Sequence, residues 1–286
     1  MKPAQVPNQD GAGIVDAVGT GVQAALLGAR VWLWEAAYQR SEGTAQEFAL
    51  IPANQVVVLP PGASFDLGAT LGIPFITAHR CLTVTDQGPR RLGPGTLTGR
   101  VVLIAGGAGA VGNAAIQLAR WSDATVITTV SSAAKAQLAA AGGADHIIDY
   151  RQQDVVAEIA KISPRGVDTI VEVSAAANAA IDVAVVARHG SVAVYADDGG
   201  GHLTIPIRAL MVLNARWQFV LVYTAPDRAK SDAVADITAA LLAGAIAVGE
   251  RTGIPLHHFT LEQTAAAHAA VQASVTGKVL IDVLNA

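Results

Sequence analysis

The stretch Val101-Val102-Leu103-Ile104-Ala105-Gly106-Gly107-Ala108-Gly109-Ala110-Val111-Gly112 restricts what this chain can become more than any other. Its unbroken apolar opening is the pattern of a strand buried on both faces. Closely set glycines follow, and Val111, Ala114, Ala115, Leu118 and Ala119 then keep helical spacing over residues 110–121. A strand ending where a helix starts leaves backbone N–H groups unpaired and a partial positive charge beside them, which suits a diphosphate. The spacing Gly107-x-Gly109-x-x-Gly112 supplies the tight turn, the close backbone approach and the close helix–strand contact of a dinucleotide site. Glycines also serve ordinary turns, so the triplet alone is a weak signal; the strand before it and the helix after it give it weight.

Length allows one large or two ordinary domains in 286 residues, and 52% hydrophobic content against 15% charged supplies ample core. A formal charge of -4 without any Lys/Arg cluster argues against nucleic acid or an anionic membrane as partner. No apolar run is long enough to span a bilayer and the start lacks a signal-peptide pattern, which points to a cytoplasmic protein. The single cysteine, Cys81, excludes an internal disulfide and reads as a small buried apolar side chain.

Residues 1–72 read as a strand-rich module, with β-branched runs at 11–18 and 55–59 punctuated by Pro52, Pro60-Pro61-Gly62 and Gly19-Thr20-Gly21. A helix is expected over 76–83 and a solvated loop over 86–99, with Arg90 and Arg91 as surface charge. From 100 to 223 strands alternate with helices, the strands at 101–105, 125–130, 146–148, 169–173, 191–195 and 217–222. That alternation predicts an α/β doubly wound parallel sheet with its ligand at the carboxyl ends of the strands. Residues 226–248 read as helix, and 256–261 and 279–283 as strands.

Asn8-Gln9-Asp10-Gly11-Ala12-Gly13-Ile14-Val15, Gly28-Ala29-Arg30-Val31, Gly72-Ile73-Pro74-Phe75-Ile76-Thr77-Ala78, the glycine loop, Gly143-Ala144-Asp145-His146-Ile147-Ile148-Asp149-Tyr150 and Gly277-Lys278-Val279-Leu280 resemble the medium-chain dehydrogenase/reductases. Within them the chain most resembles the zinc-independent quinone oxidoreductases of the zeta-crystallin type, over nearly its whole length. The resemblance implies a Rossmann dinucleotide-binding domain at 74–249 and a GroES-like β-rich substrate domain at 1–73 and 250–286. That second domain is incomplete, because family members carry further N-terminal strands and this chain looks cut short at its start. Where the zinc-dependent branch has Gly-His-Glu, this chain has Asn8-Gln9-Asp10; no imidazole ligand and no second cysteine are available, so no catalytic metal is expected.

An NAD site places a carboxylate at the end of the second strand for the ribose 2′-hydroxyl. Here Val130 runs into Ser131-Ser132-Ala133-Ala134-Lys135 instead, and Asp123 lies at the wrong end of that strand, as a turn residue. A hydroxyl at Ser131 and an ammonium one turn later at Lys135 suit a 2′-phosphate, so NADPH fits better. In the resembling family a Ser, a Lys and a Tyr hold that phosphate, and Ser131, Lys135 and Tyr150 fall on those places; an arginine that relatives add near Ser274 is missing. The resemblance implies further cofactor contacts at Thr77, Gly106, Gly109, Ala110, Val111, Gly112, Tyr195 and Val220.

No Ser/His/Asp constellation is legible among the seven histidines. His257 and His258, adjacent on a strand, point to opposite faces; His79 and His146 read as packing residues, and His189, His202 and His268 as surface. Hydride transfer needs no acid or base of shifted pKa, since the cofactor carries the chemistry, and no catalytic residue is named. The resulting expectation is an NADPH-dependent reductase of quinones or α,β-unsaturated carbonyls. The alternatives are an NADPH-binding protein with little or no catalysis and an enoyl-thioester reductase. Residues 217–223 form the sixth, edge strand; left bare, so apolar an edge invites aggregation, and a homodimer joined through residues 219–223 is expected.

Overall fold

The computed structural model describes residues 5–86, 88–249 and 254–283. Residues 1–4, 87, 250–253 and 284–286, which belong to the expected spans 1–73, 74–249 and 250–286 and to the 86–99 loop, lie outside the described residues. Two compact units emerge: Met1–Pro74 with Ala247–Ala286, and Phe75–Ile246. Among the described residues no helix is long and apolar enough to cross a membrane.

In the first unit β1 (Gly11–Ile14), β2 (Arg30–Leu33) and β3 (Val56–Val58) form an antiparallel sheet in chain order. Strands β10 (Leu256–Thr260) and β11 (Lys278–Asp282) pair in parallel, joined through α8 (Thr264–Gln272). The helix expected over 76–83 begins earlier, as α1 (Phe65–Leu82), with a bend at Gly72. Gly72 absorbs the bend, and the Asp10 carboxylate accepts the Ile73 N–H at 2.9 Å, restarting the helix where proline needs no donor.

The second unit is a six-stranded, all-parallel sheet in the order β6-β5-β4-β7-β8-β9. Its strands are β4 (Val101–Ala105), β5 (Thr125–Val130), β6 (His146–Asp149), β7 (Val167–Glu172), β8 (Val186–Val194) and β9 (Arg216–Phe219). Helices α2 (Ala110–Trp121), α3 (Ala133–Ala141), α4 (Val155–Ile162), α5 (Ala175–Val185) and α6 (Ile207–Leu213) alternate with them, and α7 (Asp227–Leu242) follows β9. Ile104, Val126, Ile127, Ile170, Val171 and Val192 are fully buried, because helices cover both faces of a parallel sheet. Each such side chain contributes about 1.5–3 kcal/mol by leaving water. Alanines at 114, 115 and 119 give α2 a small-residue face that is also fully buried.

Two strands of the parallel sheet have a boundary three or more residues from the sequence reading. β8 starts at Val186, before the polar Arg188-His189-Gly190 interruption, which the strand passes with a register shift against β7 and a left-handed His189 at φ 64°. β9 ends at Phe219, short of the end expected for the 217–222 strand and the 217–223 edge: its partner β8 ends at Val194. After the Val220 N–H donates to the Val194 carbonyl at 2.7 Å, the chain closes a 3-10 turn at Val222–Thr224. The 86–99 loop is not wholly solvated, since Leu92 and Leu97 are buried.

Candidate dinucleotide site at the strand ends

Every strand of the parallel sheet except β7 delivers an expected residue just past its carboxyl end. β4 runs into Gly106, at φ 70°, a left-handed conformation that favours glycine. The turn is tied to β5 by the Gly107 N–H on the Thr129 carbonyl at 3.2 Å. A Cβ on Gly107 would lie 2.2 Å from Thr128 Oγ1, and one on Gly112 would lie 2.4 Å from the Gly106 carbonyl oxygen. Both positions therefore exclude any side chain. Gly109 caps α2 without a side-chain hydrogen bond, so the first-turn N–H groups at Ala110, Val111 and Gly112 are left for another acceptor.

Next along the edge, β5 ends at Val130 and passes into Ser131 and Ser132, which divide two tasks. Ser132 caps α3 by accepting the Lys135 N–H at 3.3 Å, while Ser131 Oγ accepts from Lys135 Nζ at 3.1 Å. The chain beyond β6 is bonded to the same place, its Tyr150 N–H donating to the Val130 carbonyl at 3.1 Å. The Tyr150 ring is half exposed, not packed on the core. Ser131, Lys135 and Tyr150 thus share one strand end, with no carboxylate at the Ser131 position.

On the other side, the Tyr195 N–H donates to the Glu172 carbonyl at 3.0 Å, which places Tyr195 beside the end of β7, and Val220, mostly buried, sits one strand further. Burial, with the charges of Cys81, Glu172 and Asp198, raises the Tyr195 phenol above its ordinary range. Thr77 is buried in α1.

An acid pair at the end of β7 escaped the sequence reading. The Glu172 carboxylate accepts from the Ser174 N–H and from Asn178 Nδ2 at 3.0 Å, fastening the start of α5. Burial raises Glu172 despite these bonds. Asp182 is pushed up to about 9 by burial first, then by the charge of Glu172 and the hydrogen bond to it, so it carries a proton at neutral pH. Carboxylates on facing turns of strand and helix have no short sequence signature.

Among the histidines, His79 is buried and bonds Asp236 through Nε2 at 2.8 Å, whereas His146 is exposed instead of packed. Cys81 is buried and its thiol is pushed up to about 12 by that burial. Arg90 and Arg91 are paired with Asp232 and Asp236. Asn8, Gln9 and Asp10 are all engaged within the first unit: Asn8 Oδ1 with His268 Nε2 at 3.0 Å, Gln9 Oε1 with the Ala37 N–H at 3.0 Å, and Asp10 with Ile73. Among the described residues no three His, Cys, Asp or Glu side chains are grouped as a metal would require.

The zinc-binding dehydrogenase family profile matches residues 110–239. Pig quinone oxidoreductase is 29% identical over 98% of this chain and 81% of its own length. These likenesses support a protein of the quinone oxidoreductase type among the medium-chain dehydrogenase/reductases. The rat synaptic vesicle membrane protein VAT-1 homolog is 34% identical over 74% of the chain, and the chain spans about half (48%) of that relative. A mycobacterial protein solved in complex with NADPH superposes with a TM-score of 0.79 and 25% identity, over 96% of this chain and 81% of its own. The row of strand ends from Tyr150 to Val220 is the edge on which a doubly wound sheet takes its ligand.

Proposed function

We propose that this chain is an NADPH-dependent oxidoreductase that passes hydride to quinones or α,β-unsaturated carbonyls without a metal. The carrying observation is the joint presence, at adjacent strand ends, of an uncapped α2 N-terminus behind side-chain-intolerant glycines and of the Ser131–Lys135 pair. These residues fit the cofactor: first-turn N–H groups suit the diphosphate, and an ammonium beside a hydroxyl suits a 2′-phosphate that an Asp would repel. Bound there, the nicotinamide supplies the hydride. Thr77, Tyr195 and Val220 are assigned to its ring end, where they position it and keep water out.

Residues 1–73 with 250–286 are assigned to the substrate and 74–249 to the cofactor. A homodimer completes the reading: Ile207, Met211, Val212, Phe219 and Leu221 are large apolar side chains left exposed on and around the edge strand. The test is NADPH oxidation against a panel of quinones, enones and enoyl thioesters. Turnover of quinones or enones supports the reading, turnover confined to enoyl thioesters replaces it, and NADPH binding without turnover of any of them leaves a binding protein.

A further inference from the structure

The second unit carries a cationic cavity that the dinucleotide reading does not use. It has a volume of about 190 Å³ and lies among the last turn of α1, Arg90 and the first turn of α7. Three arginines, Arg80, Arg90 and Arg228, line it with one acidic residue, Asp232. Asp232 is already held by Arg90 at 3.2 Å. Arg80 and Arg228 make no side-chain hydrogen bond or ion pair among the described residues. Two unpaired arginines lining one concave site, whose single acidic residue is already engaged by Arg90, suit an anion with several acceptor oxygens. Ala229, in the first turn of α7, also lines the cavity, and Pro226 caps that helix without a side-chain bond, so the helix adds its own partial positive charge. Asp227 begins α7 but is not among the lining residues.

A second observation comes from His79, which lines the same cavity and is 1% exposed. Its Nε2 is bonded to Asp236, which also accepts from Arg91 at 2.7 Å and from the Leu92 N–H at 2.7 Å. Burial opposes the charge on Asp236, but these bonds hold its carboxyl below the usual carboxylate range. An ionised carboxylate only accepts, so Nε2 carries the proton, and His79 Nδ1 is left buried with no hydrogen-bond partner among the described residues. Buried polar atoms are rarely left in that state, and a protonated oxygen of a bound oxyanion would satisfy this one.

We infer that the cavity bordered by Arg80, Arg90, Arg228 and His79 is a binding site for a phosphate monoester or free phosphate, separate from the cofactor's own phosphate contacts. Its size suits one phosphate group and not a dinucleotide. The test is calorimetric titration of the full chain, at constant ionic strength, with inorganic phosphate and with adenosine 3′,5′-bisphosphate. Arg80→Gln/Arg228→Gln should weaken phosphate binding by about a hundredfold, about tenfold for each charge-assisted contact. Lys135→Ala should leave it unchanged, and Asp232→Asn should tighten it by freeing Arg90, a gain that no folding defect imitates. Tighter binding of the bisphosphate, lost in the same double variant, assigns a phosphate carried on a nucleotide; equal or weaker binding assigns the free ion. Absence of saturable binding to the wild-type chain, or loss in Lys135→Ala with none in the double variant, overturns the inference.

Discussion

The two units solve the burial of charge and apolar surface differently. In Phe75–Ile246, six parallel strands and the surrounding helices enclose a continuous cluster that includes Leu103, Ile127, Ile170, Val185 and Val192. In the other unit, small sheets leave Ile14, Leu27, Phe48, Leu50 and Val58 exposed, while Lys278 is buried and Asp10 is partly buried. Burial pushes Asp10 up to about 7 against the Ile73 hydrogen bond and the charge of Lys278, and draws Lys278 down to about 8 against the charge of Asp10. The second unit buries a carboxyl too, but Asp182 shares its proton with Glu172 instead of facing a cation. One interior is organised around apolar packing, the other holds a buried ammonium, Lys278, within electrostatic reach of the Asp10 carboxylate.

The largest effect expected from breaking this contrast is at Asp236, the polar hub of the larger unit. Asp236→Ala leaves His79, Arg91 and the Leu92 N–H without their acceptor and should cost about 3–5 kcal/mol, read as a lowered denaturant midpoint. A cost under about 1 kcal/mol would show that the hub is not needed.

A smaller effect separates the units by pH. The Asp182 pKa is raised from 3.8 to about 9, so between those values the native state holds a proton that the unfolded chain has lost. Stability therefore falls as pH rises across that window, with a limiting slope of about 1.4 kcal/mol per pH unit. Asp182→Asn should flatten the slope in calorimetric melts from pH 5 to 9; an unchanged slope would count against a proton on Asp182.

In the smaller unit the signs oppose each other. Asp10, raised to about 7, removes stability as pH rises from 3.8, while Lys278, lowered from 10.5 to about 8, restores it above pH 8. A shallow minimum near pH 7 to 8 should appear when unfolding is followed through Trp32 and Trp34 in a Trp121→Phe/Trp217→Phe background. Asp10→Asn keeps an acceptor for Ile73 and should abolish the falling arm. A monotonic curve in the unmutated pair would refute the account of the smaller unit.

What the sequence showed follows from the range of the interactions involved. The strands of the parallel sheet are continuous β-branched and apolar runs, and their alternation with helices dictates the sheet order, so the architecture was legible. Ser131 and Lys135 are a single helical turn apart and were legible for the same reason. Asp10 meeting Ile73, His79 meeting Asp236 and Glu172 meeting Asp182 join residues on different elements, and no local pattern announces them. The helix expected over 76–83 was read too short because the bend at Gly72 is answered by a side chain from far along the chain. The edge strand was read too long because its apolar residues outrun the partner strand that ends at Val194.

The central claim is that the Ser131–Lys135 pair reads a 2′-phosphate. Fluorescence titration of the wild-type chain and of Lys135→Ala with NADPH and NADH tests it directly. Loss of a charge-assisted contact should weaken NADPH by about ten- to a hundredfold and leave NADH within about twofold. Equal weakening of both cofactors, or NADH binding as tightly as NADPH to the unmutated chain, would contradict it.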